Sequence, residues 1–242
     1  MPPAECIGGS GDVLLLCDHA SSHVPAAYAA GIPPALRELH IGVDIGAGAL
    51  TRALAARIDA PAVLGTVSRL VIDLHRQPDH PALIPKVSDG HVIPANADPD
   101  RQERIARYFA PFHAAISDQV RRQRPAMIVA IHSFTRRLQG DVADRPWHAG
   151  ILYGRDRRLA LPAIDLLRAN GIATGDNQPY SGMVLNATLN RHAEAQGIPS
   201  LLVEVRNDLI DGDEGVQRWS VLLAEMLATL RNGLAQESAL AT

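Results

Sequence analysis

Several side chains that can do chemistry stand where apolar runs stop. Asp18, His19 and His23 follow the run "VLLLC", and Asp73, His75 and Arg76 follow "LVI". His132 and Ser133 follow "MIVAI". Glu204 lies inside "LLVEV", with Arg206 and Asp208 just beyond it, and Asp44 precedes an apolar helical pattern. In open α/β sheets, ligand sites form beyond the carboxyl ends of the strands. Two strand-end histidines, an Asp and a Glu directed to one sheet edge therefore form a constellation. His, His and a carboxylate are a common catalytic zinc set that leaves a fourth position open. Zinc lowers the pKa of a water held there, and a nearby Glu can take its proton.

Each member also has a plainer reading. A lone strand-end His is often a hydrogen-bonded structural residue, and Asp44 could cap its helix. Glu204 is harder to dismiss, because a carboxylate in an apolar run is costly to bury unless it is paired, metal-linked or catalytic. No HExxH or G-x-S-x-G motif occurs, "GGSGD" lacks the G-K-[ST] of a P-loop, and "GVDIGAG" does not fit G-x-G-x-x-G after a strand.

The elements that must position these residues follow from periodicity. Short apolar runs predict strands at Val13 to Cys17, Ala62 to Gly65, Leu70 to Asp73, Met127 to Ile131, Ile151 to Tyr153 and Leu201 to Val205. Their lack of polar alternation suits central strands covered on both faces. Helical spacing links Ala47, Leu50, Leu54 and Ile58, and also Ile105, Phe109, Phe112, Ile116 and Val120, where Pro111 is expected to kink the helix. Leu159, Ala163 and Leu167 line a third helix stopped by Gly171, and Val216 to Leu230 a fourth. The alternation predicts an α/β fold: a three-layer α/β/α sandwich with a mixed, mainly parallel sheet, in one domain over 1–242. The segment Gln77 to Pro99, rich in Pro, Asp and His, reads as a long functional loop.

Composition narrows the partners. The 242 residues carry a net charge of -3 and are 47% hydrophobic, which excludes whole-chain disorder and offers no footprint for nucleic acid or an anionic membrane. Lys86 is the only lysine, and the clusters "RRQR" and "RDRR" lack interleaved aromatics and read as solvated ends. Two cysteines, Cys6 and Cys17, imply no disulfide framework. The N-terminus lacks the pattern of a signal peptide, and no apolar run would span a bilayer, so the expected location is cytoplasmic.

The stretches "LLLCDHASSHVP", "DIGAGAL", "SRLVIDLHRQPD", "AIHSFTR", "NQPYSG" and "LLVEVRNDL" together resemble the N-formylglutamate amidohydrolase family, in order, over roughly residues 12 to 230. The resemblance implies a fold similar to zinc carboxypeptidases and zinc-dependent hydrolysis of the amide bond of a small N-acyl amino acid bearing a carboxylate, such as N-formyl-glutamate. By the same resemblance His19, Asp44 and His132 match the metal ligands and Glu204 the general base; were Glu204 dispensable, Asp18 or His23 would be next in line for that role. Arg69 and Arg76 match a clamp on the substrate carboxylate; Arg206 would assist it or position Glu204; Ser133, Tyr180 and His192 would lie against the substrate. Better-known members read more like "PHAG" where this chain reads "CDHASSHVP", which places it in an amidohydrolase-like branch. A related zinc deacylase or carboxypeptidase, or a non-catalytic small-acid binder on the same scaffold, are the alternatives. Geometry adds one expectation: if Leu70 to Asp73 is a strand, its ends lie roughly 15 to 20 Å apart. Arg76, beside His75, would then be the better candidate for direct contact, while the resemblance favours both and a loop reversal could bring Arg69 close.

Overall fold

The computed structural model describes residues 2–240. Its strands are β1 (Ala4–Ile7), β2 (Val13–Cys17), β3 (Ala62–Gly65), β4 (Val87–Ser88), β5 (His91–Val92), β6 (Met127–Phe134), β7 (Ala149–Leu152), β8 (Thr174–Asp176) and β9 (Ser200–Arg206). Seven of them form one sheet in the order β1-β3-β2-β6-β9-β7-β8, and β4 and β5 form a separate hairpin. β3, β2, β6 and β9 run parallel, and β7 with β8; β1 against β3 and β7 against β9 are antiparallel. The sheet is mixed and mainly parallel, as the run lengths predict.

Both faces of the sheet are covered, which is why its strands lack polar alternation. Leu15, Cys17, Val129, Ile131, Leu201 and Val203 face the helices Ala47–Ile58, Ala160–Ala169 and Asp213–Leu240. Leu14, Leu16, Ile128, Ala130 and Leu202 face the helical run 101–123, through Phe109, Phe112 and Ile116. Leu14, Leu15 and Leu16 are fully buried. Each such side chain contributes about 1.5–3 kcal/mol of transfer free energy. The run 101–123 contains a π-helical turn at Ile105–Phe109, directly before Pro111. The wider turn makes room for a residue with no N–H to donate.

One predicted strand is absent. Leu70 and Val71 lie in a turn and Ile72 and Asp73 in irregular chain, although Leu70, Val71 and Ile72 are fully buried. The Leu70 carbonyl accepts from Asn96 Nδ2 (2.8 Å), and the Val71 carbonyl from Arg104 Nη1 (2.7 Å). Ser68 turns the chain: its Oγ donates to the Gly42 carbonyl and accepts from the Leu70 N–H. Side chains thus satisfy backbone that a ladder would otherwise satisfy, and a short apolar run does not reveal which of these will happen. The long loop contains two 3-10 turns, Pro81–Leu83 and Pro94–Asn96, besides the β4–β5 hairpin. The short edge strands β1 and β8 carry no periodic signal, and β6 extends three residues past Ile131.

Candidate active site

Three adjacent parallel strands deliver the central residues. Asp18 and His19 immediately follow β2; His132 lies in β6, still within the ladder; and Glu204 in β9 is the direct register partner of His132. Asp44 arrives on a turn whose N–H donates to the His19 carbonyl (3.1 Å), with Ser133 Oγ donating to the Ile45 carbonyl (2.8 Å). Gly46 closes that turn at φ +79°, and a Cβ there would stand 2.1 Å from the Ile210 carbonyl oxygen. Only glycine fits both the conformation and the space. Gly46, not Asp44, caps the Ala47–Ile58 helix, so the Asp44 carboxylate is free to point into the site.

A continuous buried network results. His19 Nε2 lies 2.7 Å from Asp73 Oδ1 and its Nδ1 3.3 Å from Asp44 Oδ2. His132 Nδ1 lies 2.8 Å from the same Asp44 oxygen and its Nε2 3.1 Å from Asp18 Oδ2. Arg69 donates to Asp44 Oδ1 (3.1 Å) and Asp73 Oδ2 (2.8 Å). Burial alone would push these histidines down and these carboxyls up, but the pairing outweighs it. Hydrogen bonds to Asp18 and Asp44 raise His132 to about 10. Asp73 and Asp44 raise His19, while Arg69 and the histidines hold Asp44 and Asp73 below the usual carboxylate range.

Glu204 behaves differently. Burial drives it up to about 7, with nearby His132 opposing, and its Oε2 has no hydrogen-bond partner among the described residues. It opens onto a cavity of about 140 Å³ shared with His19, Asp44, His132, Arg69 and Arg76. Leu152, Leu185 and Leu202 form an apolar wall, and His75, Ser133 and Tyr180 complete the lining. Arg76 Nε is also buried without a hydrogen bond, 3.7 Å from Asp73 Oδ2. A larger depression of about 680 Å³ lies elsewhere, but its polar side chains satisfy local groups: Glu194 accepts from the Arg155 and Asp156 N–H groups, and Asp156 pairs with Arg158.

Arg69 and Arg76 line one cavity, contrary to the strand-length expectation. The Asp73 carboxylate accepts the His75 N–H (3.0 Å) and the Asp73 carbonyl the Arg76 N–H (3.2 Å), so the chain turns back on itself. Tyr180 lines the cavity with its hydroxyl accepting from Arg145 (3.1 Å). Three residues of the sequence reading lie apart. Arg206 pairs with Asp208 (2.7 Å). His192 stacks on His113, with Nε2 2.8 Å from His113 Nδ1. His23 is exposed and lines a separate cavity with Tyr108. Sequence reasoning assigned no site role to Asp73, His75 or Thr188. Asp73 and His75 carried the strand-end signal, whereas Thr188, in a short helix, carried none.

The donor set suits a divalent cation. Single donor atoms of His19, Asp44 and His132 lie within 4.8 Å of one another, and all three residues border the cavity. Both Nε2 atoms are taken by carboxylates, which leaves both Nδ1 atoms facing Asp44 Oδ2. Such outer carboxylates accompany metal-bound histidines. Asp18, His75 and His132 are similarly close, but Asp18 is sealed behind the rings. Two nitrogens and one oxygen match the donor chemistry of zinc.

The fold and site together define an α/β protein with a buried His–Asp cluster, an isolated carboxylate and two arginines at the carboxyl ends of parallel strands. The profile of the N-formylglutamate amidohydrolase family matches residues 11–211, and the chain belongs to that family. The crystal structure of gene product Atu2144 from Agrobacterium tumefaciens is similar at a TM-score of 0.91 and 30% identity, over 97% of each chain. That of N-formylglutamate amidohydrolase from Ralstonia eutropha JMP134 shares the fold at a TM-score of 0.70 and 22% identity, over 96% of this chain and 100% of that one. No curated protein matches the sequence. No helix among the described residues is long and apolar enough to cross a membrane.

Proposed function

We propose that the protein is a zinc-dependent amidohydrolase that removes a small acyl group, formyl first of all, from the nitrogen of an amino acid bearing a carboxylate. The observation that carries this reading is the unpartnered Glu204 oxygen, in one cavity with the converging donors of His19, Asp44 and His132. Zinc held by those three residues would acidify a water and polarise the scissile carbonyl.

The chain's own residues supply the rest. Glu204, raised toward neutrality, accepts a proton from the attacking water and passes it to the leaving amine. Arg76, with an unsatisfied Nε in the cavity wall, takes the substrate carboxylate. Arg69 is held at Asp44 and Asp73, where it can stabilise negative charge developing on the acyl oxygen. Ser133 fixes the Asp44 turn, and Tyr180 borders the substrate. The small cavity and its leucine wall favour a compact, uncharged acyl group.

A panel of N-formyl-, N-acetyl- and N-succinyl-amino acids, offered to zinc-loaded protein with formate scored directly, tests the proposal. Turnover of N-formyl-glutamate or a close relative is expected. Binding without turnover across the panel would instead favour a non-catalytic small-acid binder.

A further inference from the structure

Asp18 is fully buried behind the rings of His132 and His75 and does not line the cavity. We propose that it is a positioning residue: its one carboxylate fixes His132, a metal ligand, and His75, a wall of the substrate cavity. This inference rests on the metal-dependent reading of the site.

The hydrogen-bond arithmetic supports it. Asp18 Oδ1 accepts the Thr188 hydroxyl at 2.7 Å, and Oδ2 faces His132 Nε2 at 3.1 Å and His75 Nδ1 at 3.3 Å. Thr188 has one proton to give, and Asp18 receives it. The Thr188 oxygen, 3.1 Å from His75 Nδ1, can therefore only accept there; with Asp18 Oδ2 at 3.3 Å, Nδ1 faces two acceptors against the single Leu185 carbonyl 3.3 Å from Nε2, and this favours the proton on Nδ1. A carboxylate at His132 Nε2 likewise requires a proton on that atom. On the other side of the ring Asp44 Oδ2, 2.8 Å from Nδ1, accepts a second proton in the metal-free site, and a cation held there would replace that proton while Nε2–H stays on Asp18.

His19 has a counterpart in Asp73, but Asp73 also receives Arg69 and lies near Arg76. Among the described residues Asp18 pairs with no arginine; its side-chain partners are two histidines and a threonine. It also continues the period-two face of Leu14 and Leu16, so β2 itself aims it under the site. A buried counter-charge of purely structural value would affect folding alone, whereas a positioning group sets metal affinity.

Zinc dissociation constants, measured by competition with a chromophoric chelator, decide between these. Asp18→Asn is expected to weaken zinc binding about 10–100-fold. Thr188→Val, which frees one oxygen of the same carboxylate, gives a smaller loss in the same direction. Unchanged zinc affinity in Asp18→Asn, with only a lowered Tm, would overturn the inference. Should Asp18→Asn not fold, nitrogen-15 NMR of the histidines in zinc-loaded wild-type protein serves instead. A proton on His132 Nε2 and on His75 Nδ1 is expected, and an unprotonated Nε2 at His132 overturns the assignment. Wild-type protein that takes up no divalent metal would sink the metal-dependent reading itself, and a His75 proton found on Nε2 instead of Nδ1 in that protein would separately overturn the role given to Asp18.

Discussion

Two pairs of buried histidines stand in opposite electrical conditions. His19 and His132 are each 2% exposed, and so is His192; its partner His113 is 6% exposed. His19 and His132 touch Asp73, Asp44 and Asp18, and both are raised. His113 and His192 stack with ring centroids 5.1 Å apart and are bonded to each other, and His113 Nε2 donates to the Leu74 carbonyl. Burial pushes them down to about 3 and about 4. Burial is common to both pairs, so it does not determine their charge; the carboxylates do. One pair sits among carboxylates whose charge a bound cation would balance in place of the histidine protons, and the other is a neutral strut joining the helices 110–123 and 187–192.

Ligand deletion separates the pairs most sharply. His132→Ala or His19→Ala should abolish stoichiometric zinc in elemental analysis, while His113→Ala retains it. Equal zinc in His19→Ala and wild type would show that the carboxylate-bound pair is not the metal site. Glu204→Gln comes next: zinc stays bound, and kcat falls by about 10²–10⁴-fold, the usual worth of a general acid–base group. An active Glu204→Gln enzyme would assign the base elsewhere.

The arginines offer a third contrast. Arg76 faces the cavity, whereas Arg191 lies with its guanidinium 5.2 Å from the Phe109 ring centre, beside the neutral pair. Arg76→Lys should raise KM for an acidic N-acyl substrate about tenfold, because lysine lacks the planar fork. It should matter far less for the corresponding amide, and Arg191→Lys should leave KM unchanged. Equal losses on acid and amide would remove Arg76 from carboxylate recognition.

The smallest effect is in acid stability. Unfolded histidines take up protons near pH 6.5. Folded His113 and His192 resist protonation until about 3 and about 4. Their contribution is therefore complete above about pH 6.5 and is lost as pH falls toward about 4 for His192 and about 3 for His113, by up to about 1.4 kcal/mol per pH unit for each. In metal-free protein, His192→Gln should flatten the fall in urea midpoint over that window. An unaltered slope would mean that the pair does not stay neutral.

The sequence by itself determined the layers. The runs at Val13–Cys17 and Ala62–Gly65 and the helix Ala47–Ile58 have the bounds expected, because covered strands and amphipathic helices write their burial into local periodicity. Those runs also marked the sheet edge where His19, His132 and Glu204 would meet, and the ordered motifs indicated the family. Tertiary structure decided which polar groups share the cavity. "SRLVIDLHR" is apolar enough for a strand, yet Asn96 and Arg104, distant in the chain, take its carbonyls and turn it, bringing Arg69 and Arg76 to one cavity. His192 was grouped with the site and instead stacks on His113, while Asp18 meets Thr188 across 170 positions. Periodicity reports only whether a side chain is buried; the charge and partners of a buried polar group are set by what the fold places within about 3 Å of it.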